Sequence, residues 1–128
     1  MLGLLHADGT ASLDKVAEQV WQWLADTTHR PLLTLWVEAY AHSLIEPDGN
    51  WAEFARATVE DWLDVLASAQ PPKQRSTAVG VASRTLVLAV LRGALLDLLA
   101  TGDIDRVDAA VHHQLAHRRT DNVRRPHP

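Results

Sequence analysis

The sequence predicts an all-α fold, and three observations carry that reading. No run of residues alternates apolar and polar between turn signals, and no Asn-Gly or Asp-Gly pair joins two such runs, so strand signals are missing. Apolar residues recur instead at helical spacing through most of the chain. The third observation is Gly93-Ala-Leu-Leu-Asp-Leu-Leu-Ala-Thr-Gly-Asp103, which ends a long apolar helix at a glycine and starts another helix at once. From Ala78 to Thr101 the charged residues are Arg84, Arg92 and Asp97, which point in different directions, so no side of this helix is a plain solvent face. One layer of helices in so small a domain covers only part of its circumference, and a second copy of the chain is the natural cover for the rest. The expectation is a bundle of about five helices.

The first helix is expected from about Ser12 to Thr27, with Leu13, Val16, Ala17, Val20, Trp21, Leu24 and Ala25 on one stripe. Arg30-Pro31 opens the second, because proline's missing N–H has no intrahelical partner in a first turn, and Pro47 closes it near Ile45. Its broad apolar face holds Leu32, Leu33, Leu35, Trp36, Val37, Ala39, Tyr40 and Leu44, with Thr34, Glu38 and Ala41 opposite. A third helix follows Asp48-Gly49-Asn50, where Asn50 and Glu53 have capping-box spacing, and runs to about Ala69. Pro71-Pro72-Lys73 is a linker, and the apolar helix follows it from roughly Arg75. Gly102 suits the left-handed position past a helix end and Asp103 the next N-cap. The last helix is expected to end near Arg119, with a narrow stripe of Ile104, Val107, Val111 and Leu115 fitting a partner along one seam.

Composition narrows the function classes. A chain of 128 residues, 47% apolar, suits one domain with one core spanning 1–128, with residues 119–128 as a tail, and Arg118, Arg119, Arg124 and Arg125, beside Pro126 and Pro128, are expected to be solvated. Absence of cysteine removes disulfides and cysteine-ligated metal, and no leader-like segment is seen, so a cytoplasmic location is expected. The apolar stretch near Leu86 is long enough for a bilayer, but Arg84 and Arg92 would each cost about 2.5–3.5 kcal/mol at its centre, so no membrane span is expected. A net charge of −4 argues against nucleic-acid binding by this segment.

The order of elements, together with Arg30-Pro-Leu-Leu-Thr-Leu-Trp-Val-Glu-Ala-Tyr40, Trp51-Ala-Glu-Phe-Ala55 with Trp62-Leu63, and above all the Gly93–Asp103 segment, resembles the C-terminal ligand-binding and dimerisation domain of TetR-family transcriptional regulators. The resemblance covers nearly the whole chain. It implies that the helices Arg75–Thr101 and Asp103–Arg119 pair with those of a second subunit as a four-helix bundle, making a homodimer, and that a cavity among the earlier helices takes a small effector. The residues implied at the interface are Leu88, Leu95, Asp97, Leu99, Ile104, Val107, Asp108, Val111 and Leu115. The family's N-terminal helix-turn-helix has no counterpart here, since Met1–Ser12 is too short, so DNA would be reached only through a domain not present in this sequence.

Five tryptophans, at 21, 23, 36, 51 and 62, stand beside one phenylalanine and one tyrosine. They either pack the core or line an effector cavity, since ligand sites are mostly apolar with a few placed polar groups. Thr58, in the stripe of Trp51, Phe54, Ala55, Trp62, Val65 and Leu66, must bond its own helix backbone or a group in a cavity. Arg84 must pair, reach solvent or meet a ligand. The expected effector, apolar or weakly polar, contacts Trp36, Tyr40, Phe54, Thr58, Trp62 and Arg84. Glu38 with His42, and His113 with His117 beside His112, have metal-pair spacing, but each pair gives only two ligands on a polar side, so no metal or other cofactor is expected. Asp108 projects onto the last helix's apolar stripe and needs a partner, either His112 or an arginine of a facing subunit. No nucleophile elbow, phosphate loop or HExxH motif is present, so no enzyme is expected. The alternative is a free-standing helical interaction module with an aromatic groove.

Overall fold

A computed structural model of the chain describes residues 12–49 and 51–124, with side chains as far as Arg118. Among them are five α-helices and no strand: α1 (Leu13–Ala25), α2 (Arg30–Ile45), α3 (Phe54–Ser68), α4 (Ala78–Thr101) and α5 (Ile104–Arg124), with a 3-10 turn, Thr27–His29, between α1 and α2. The local signals explain most of the ends. Ser12 caps α1 by accepting the Lys15 N–H at 3.2 Å, and Asp26 stops α1 and caps the 3-10 turn through the Thr28 N–H. Gly102 takes φ 69° with its N–H on the Leu98 carbonyl, and the Asp103 carboxylate accepts the Arg106 N–H to start α5.

Three boundaries differ from expectation. The long helix starts at Ala78 rather than Arg75, because Thr77 caps it by accepting the Gly80 N–H at 3.0 Å. Residues 71–77 form turns, and Arg75 donates back to the Gln70 and Ser68 carbonyls at the end of α3. The last helix continues to Arg124 instead of ending near Arg119. At α3, Glu53 makes no capping side-chain bond, and the buried Ser43 of α2 accepts the Ala55 N–H at 3.0 Å in its place. The Asn50 half of the expected capping box lies outside the described residues, as do the tail residues 125–128 and the side chains from Arg119 onward.

α4 is the central element, packed on α1, α3 and α5, and α5 also lies along α1. The core joins Val16, Val20 and Trp21 of α1, Trp62, Val65 and Leu66 of α3, Leu88, Leu91 and Leu95 of α4, and Val107, Val111 and Leu115 of α5. Burial of each large apolar side chain stabilises the fold by roughly 1.5–3 kcal/mol. Two polar contacts tie the ends of the chain together. Arg118 of α5, expected to be solvated, instead donates to Asp14 of α1 at 2.8 Å with both side chains largely buried, and the Trp21 indole N–H, deep in the core, donates to Asp108 at 2.9 Å. α2 packs mainly on α3 and the 3-10 turn. It therefore leaves Leu32, Leu35, Leu44 and Ile45 exposed, where the sequence suggests a broad buried face.

Within one chain, α4 has one side that the other helices leave uncovered. Val79, Ala82, Leu86, Ala89, Gly93, Leu96 and Ala100 recur at alternating steps of three and four, and all seven are exposed and uncharged. By length and composition alone α4 would suffice to cross a bilayer. Its opposite side carries the core residues Val87, Leu91, Leu95 and Leu98.

Candidate functional site

The first turns of α2 lie close to α1, α3 and α4 and leave an apolar cavity of about 120 Å³ among the four helices. Its walls are Val20, Trp23 and Leu24 of α1, Leu32, Leu33 and Trp36 of α2, Trp62 of α3, and Leu88, Leu91, Arg92 and Leu95 of α4. Helical spacing explains the α4 contribution: Leu88, Leu91, Arg92 and Leu95 fall on adjoining turns of one side. Trp23 is held at the wall by His29, whose ring stacks on the indole at 4.0 Å while its Nδ1 lies 2.8 Å from the Trp23 carbonyl oxygen. Trp36 leans on Tyr40 at 5.3 Å. A neighbouring hollow of about 230 Å³ shares Trp36 and Arg92 and adds Val37, Tyr40, Ala89 and Leu96.

Among the described residues, Arg92 is the only charged one lining either space. Its Nη1 donates to the Tyr40 hydroxyl at 3.4 Å, a long bond, and its buried Nε has no acceptor among the described residues. A buried N–H left unbonded costs about 1–3 kcal/mol. Chemically the site offers aromatic and leucine surface to an apolar body and one fixed cation at its edge.

Of the residues expected to touch an effector, Trp36 and Trp62 line the cavity and Tyr40 lines the adjoining hollow. The other three stand elsewhere. Thr58 donates to the Phe54 carbonyl at 2.8 Å, the backbone alternative of its two readings, and neither Thr58 nor Phe54 lines either of these two spaces. Phe54 meets Trp51 edge-on at 5.6 Å, and Trp51 is 53% exposed, outside the core. Arg84 donates to Gln70 Oε1 at 3.1 Å and to the Arg75 carbonyl at 2.8 Å, where it braces the linker before α4. Arg92 and Trp23 are the residues sequence reasoning missed. A signal was present for Arg92, since an arginine inside an apolar helix must find a partner.

The residues expected at a dimer seam also divide. Leu88, Leu95, Val107, Val111 and Leu115 are at most 3% exposed, already covered by the chain's own helices, and have almost no area left for a partner. The narrow stripe of α5 faces α1 and α4 of the same chain. Leu99 is partly buried against the core, and Ile104 is 41% exposed. Asp97 forms a two-pronged ion pair with Arg106, at 2.6 and 2.9 Å, that clamps the α4–α5 hairpin. The Arg106 guanidinium holds the Asp97 carboxyl below its ordinary range and is itself pushed upward by the bond. Asp108 has its partners within the chain, the Trp21 indole and His112, whose Nδ1 lies 3.3 Å from its second oxygen.

Glu38 and His42 are both exposed on α2, and the His113 and His117 rings stack at 6.4 Å. Among the described residues no three His, Cys, Asp or Glu side chains come together in a metal-binding group. No protein-family model matches this chain, and no curated protein or solved structure shows significant similarity to it.

Proposed function

We propose that this chain is the effector-sensing and dimerising half of a transcriptional repressor of the TetR type, acting on DNA through a helix-turn-helix domain outside this sequence. The observation that carries the reading is the cavity: three tryptophans and a group of leucines line a small, partly open apolar space with a cation, Arg92, at its edge. That composition suits recognition of a small molecule. An effector bound between α1, α2, α3 and α4 would favour one arrangement of α2 against the core, and that arrangement would be transmitted to the DNA-binding heads.

The exposed seam of α4 is the surface this reading assigns to the second subunit. Steps of three and four match the spacing of helices that pack side by side at a shallow angle, and the seam extends for about 32 Å. Ala82, Ala89, Gly93 and Ala100 would let a second helix approach closely. A Cβ at Gly93 would meet nothing within 4 Å in its own chain, so the fold of one subunit has no use for a glycine that costs about 1 kcal/mol of helix propensity. Ile104 would extend the contact onto α5.

The test is the mass in solution by analytical ultracentrifugation of wild type, Leu86→Asp, Gly93→Ala and, as a control on α2, Leu35→Asp. A dimer that Leu86→Asp dissociates at least about a hundredfold more readily, that Gly93→Ala weakens and that Leu35→Asp leaves intact supports the reading. A wild-type monomer, or a dimer indifferent to Leu86→Asp, contradicts it. A second reading, a free-standing module that binds another protein, is favoured by Leu32, Leu35, Leu44, Ile45 and Trp51, all more than half exposed. It requires the wild type to be monomeric.

A further inference from the structure

We infer that the molecule recognised by this cavity is a small monocarboxylic acid with a compact apolar body, its carboxylate held by Arg92 and Tyr40 and its body by Trp36, Trp62 and Leu91. The inference rests on the effector-sensing reading of the same cavity and names the chemical class it takes.

Three features lead to it. First, the guanidinium of Arg92 is permanently charged, Arg92 lines both spaces, and no acidic side chain lines either one among the described residues. A neutral apolar ligand would remove water from the guanidinium and return no charge, whereas a carboxylate matches both its charge and its donor geometry. Second, the Tyr40 hydroxyl already lies 3.4 Å from Arg92 Nη1, so its own O–H is placed to donate to the same anion. Third, the apolar end is small. The cavity of about 120 Å³ is of the order of those that hold one benzene ring, and the hollow beside it, which shares Arg92 and Trp36, leaves room for the polar end. A single ring or a short branched chain fits this apolar end. A monocarboxylate suits an almost wholly apolar wall better than a dianion, which would keep a charge without a partner.

The probes are benzoate, phenylacetate and hexanoate, with benzyl alcohol and benzamide as neutral counterparts of similar size. Binding to the wild-type chain is followed at neutral pH by tryptophan fluorescence, since Trp23, Trp36 and Trp62 form the wall, and by calorimetry. The expected result is that the acids bind at least about tenfold more tightly than the neutral compounds, and that Arg92→Met closes this gap while Arg92→Lys keeps part of it. Tyr40→Phe should weaken the acids by a smaller factor. Neutral compounds that bind the wild type as well as the acids would overturn the carboxylate inference and leave the sensing reading standing. If neither class binds at millimolar concentration, both fall. The comparison of acids with neutral compounds on the wild type decides the matter even if Arg92→Met does not fold.

Discussion

Truncating Asp14 to alanine tests the contact that joins the two ends of the chain. Arg118 donates to Asp14 at 2.8 Å, and the two side chains are only 15% and 10% exposed, so removing either one leaves the other as a largely buried charge without its partner. Breaking a fully buried pair in this way costs about 3–5 kcal/mol. Both groups keep some solvent contact, so about 2–3 kcal/mol is the expected loss for Asp14→Ala. At about 4 °C per kcal/mol for a chain of this size, the Tm should fall by about 10 °C. Two other effects contribute: Asp14 lies in the first turn of α1, where a carboxylate favours the helix by about 0.3–1 kcal/mol, and the Arg118 stem covers apolar surface. A double-mutant cycle of Asp14→Ala, Arg118→Ala and the double variant removes both. Measured by urea unfolding with circular dichroism, it should return a coupling energy of about 1.5–2.5 kcal/mol, only weakly reduced by salt. A coupling energy below about 0.5 kcal/mol would place the pair with ordinary surface ion pairs and refute the reasoning from burial.

Gly80→Ala should destabilise the fold by about 2 kcal/mol or more, because its Cβ would come within 1.8 Å of the Gln74 backbone oxygen, and that carbonyl belongs to the turn that ends in the Thr77 cap. An unchanged urea midpoint would contradict the close approach. The Asp97–Arg106 clamp makes an acid-sensitive contribution. The folded-state pKa of Asp97 lies below its ordinary 3.8, so its stabilisation is fully present above that value and is lost as pH falls through the lower folded one. The Tm difference between wild type and Asp97→Asn should therefore shrink on titration from about pH 6 to about pH 2, and a difference that holds constant or widens would exclude the clamp.

Much of the fold is legible in the sequence, and for particular reasons. Pro31 at the start of α2, Ser12 before α1, and Gly102 followed by Asp103 are local devices whose partners lie within one helical turn. The α3 start was harder to read because its amide is capped by Ser43, a residue of the preceding helix that looks like an ordinary polar position. The site is legible only in part. Trp36 and Trp62 stand out as large rings on apolar stripes, whereas Thr58, on the same stripe, bonds its own backbone, and Arg84 is used by the linker. Which of two arginines in one apolar helix reaches the cavity depends on which turn faces α2, and composition does not contain that.

The amino-acid sequence by itself determined that this chain is helical, where most of its helices begin and end, and that its longest helix is apolar on every side. These follow from hydrogen bonds and caps that join residues at most four apart. Only the tertiary structure decided which side of α4 and α5 turns inward. Leu88, Leu95, Val107, Val111 and Leu115 go to the chain's own core, while the seam from Val79 to Ala100 stays open. The physical reason is that the hydrophobic effect scales with area and carries no direction. A helix with apolar residues all round gains about equally from any face it buries, so the inward side is chosen by the shape of its neighbours, and the same choice brings Arg92 to the edge of a cavity.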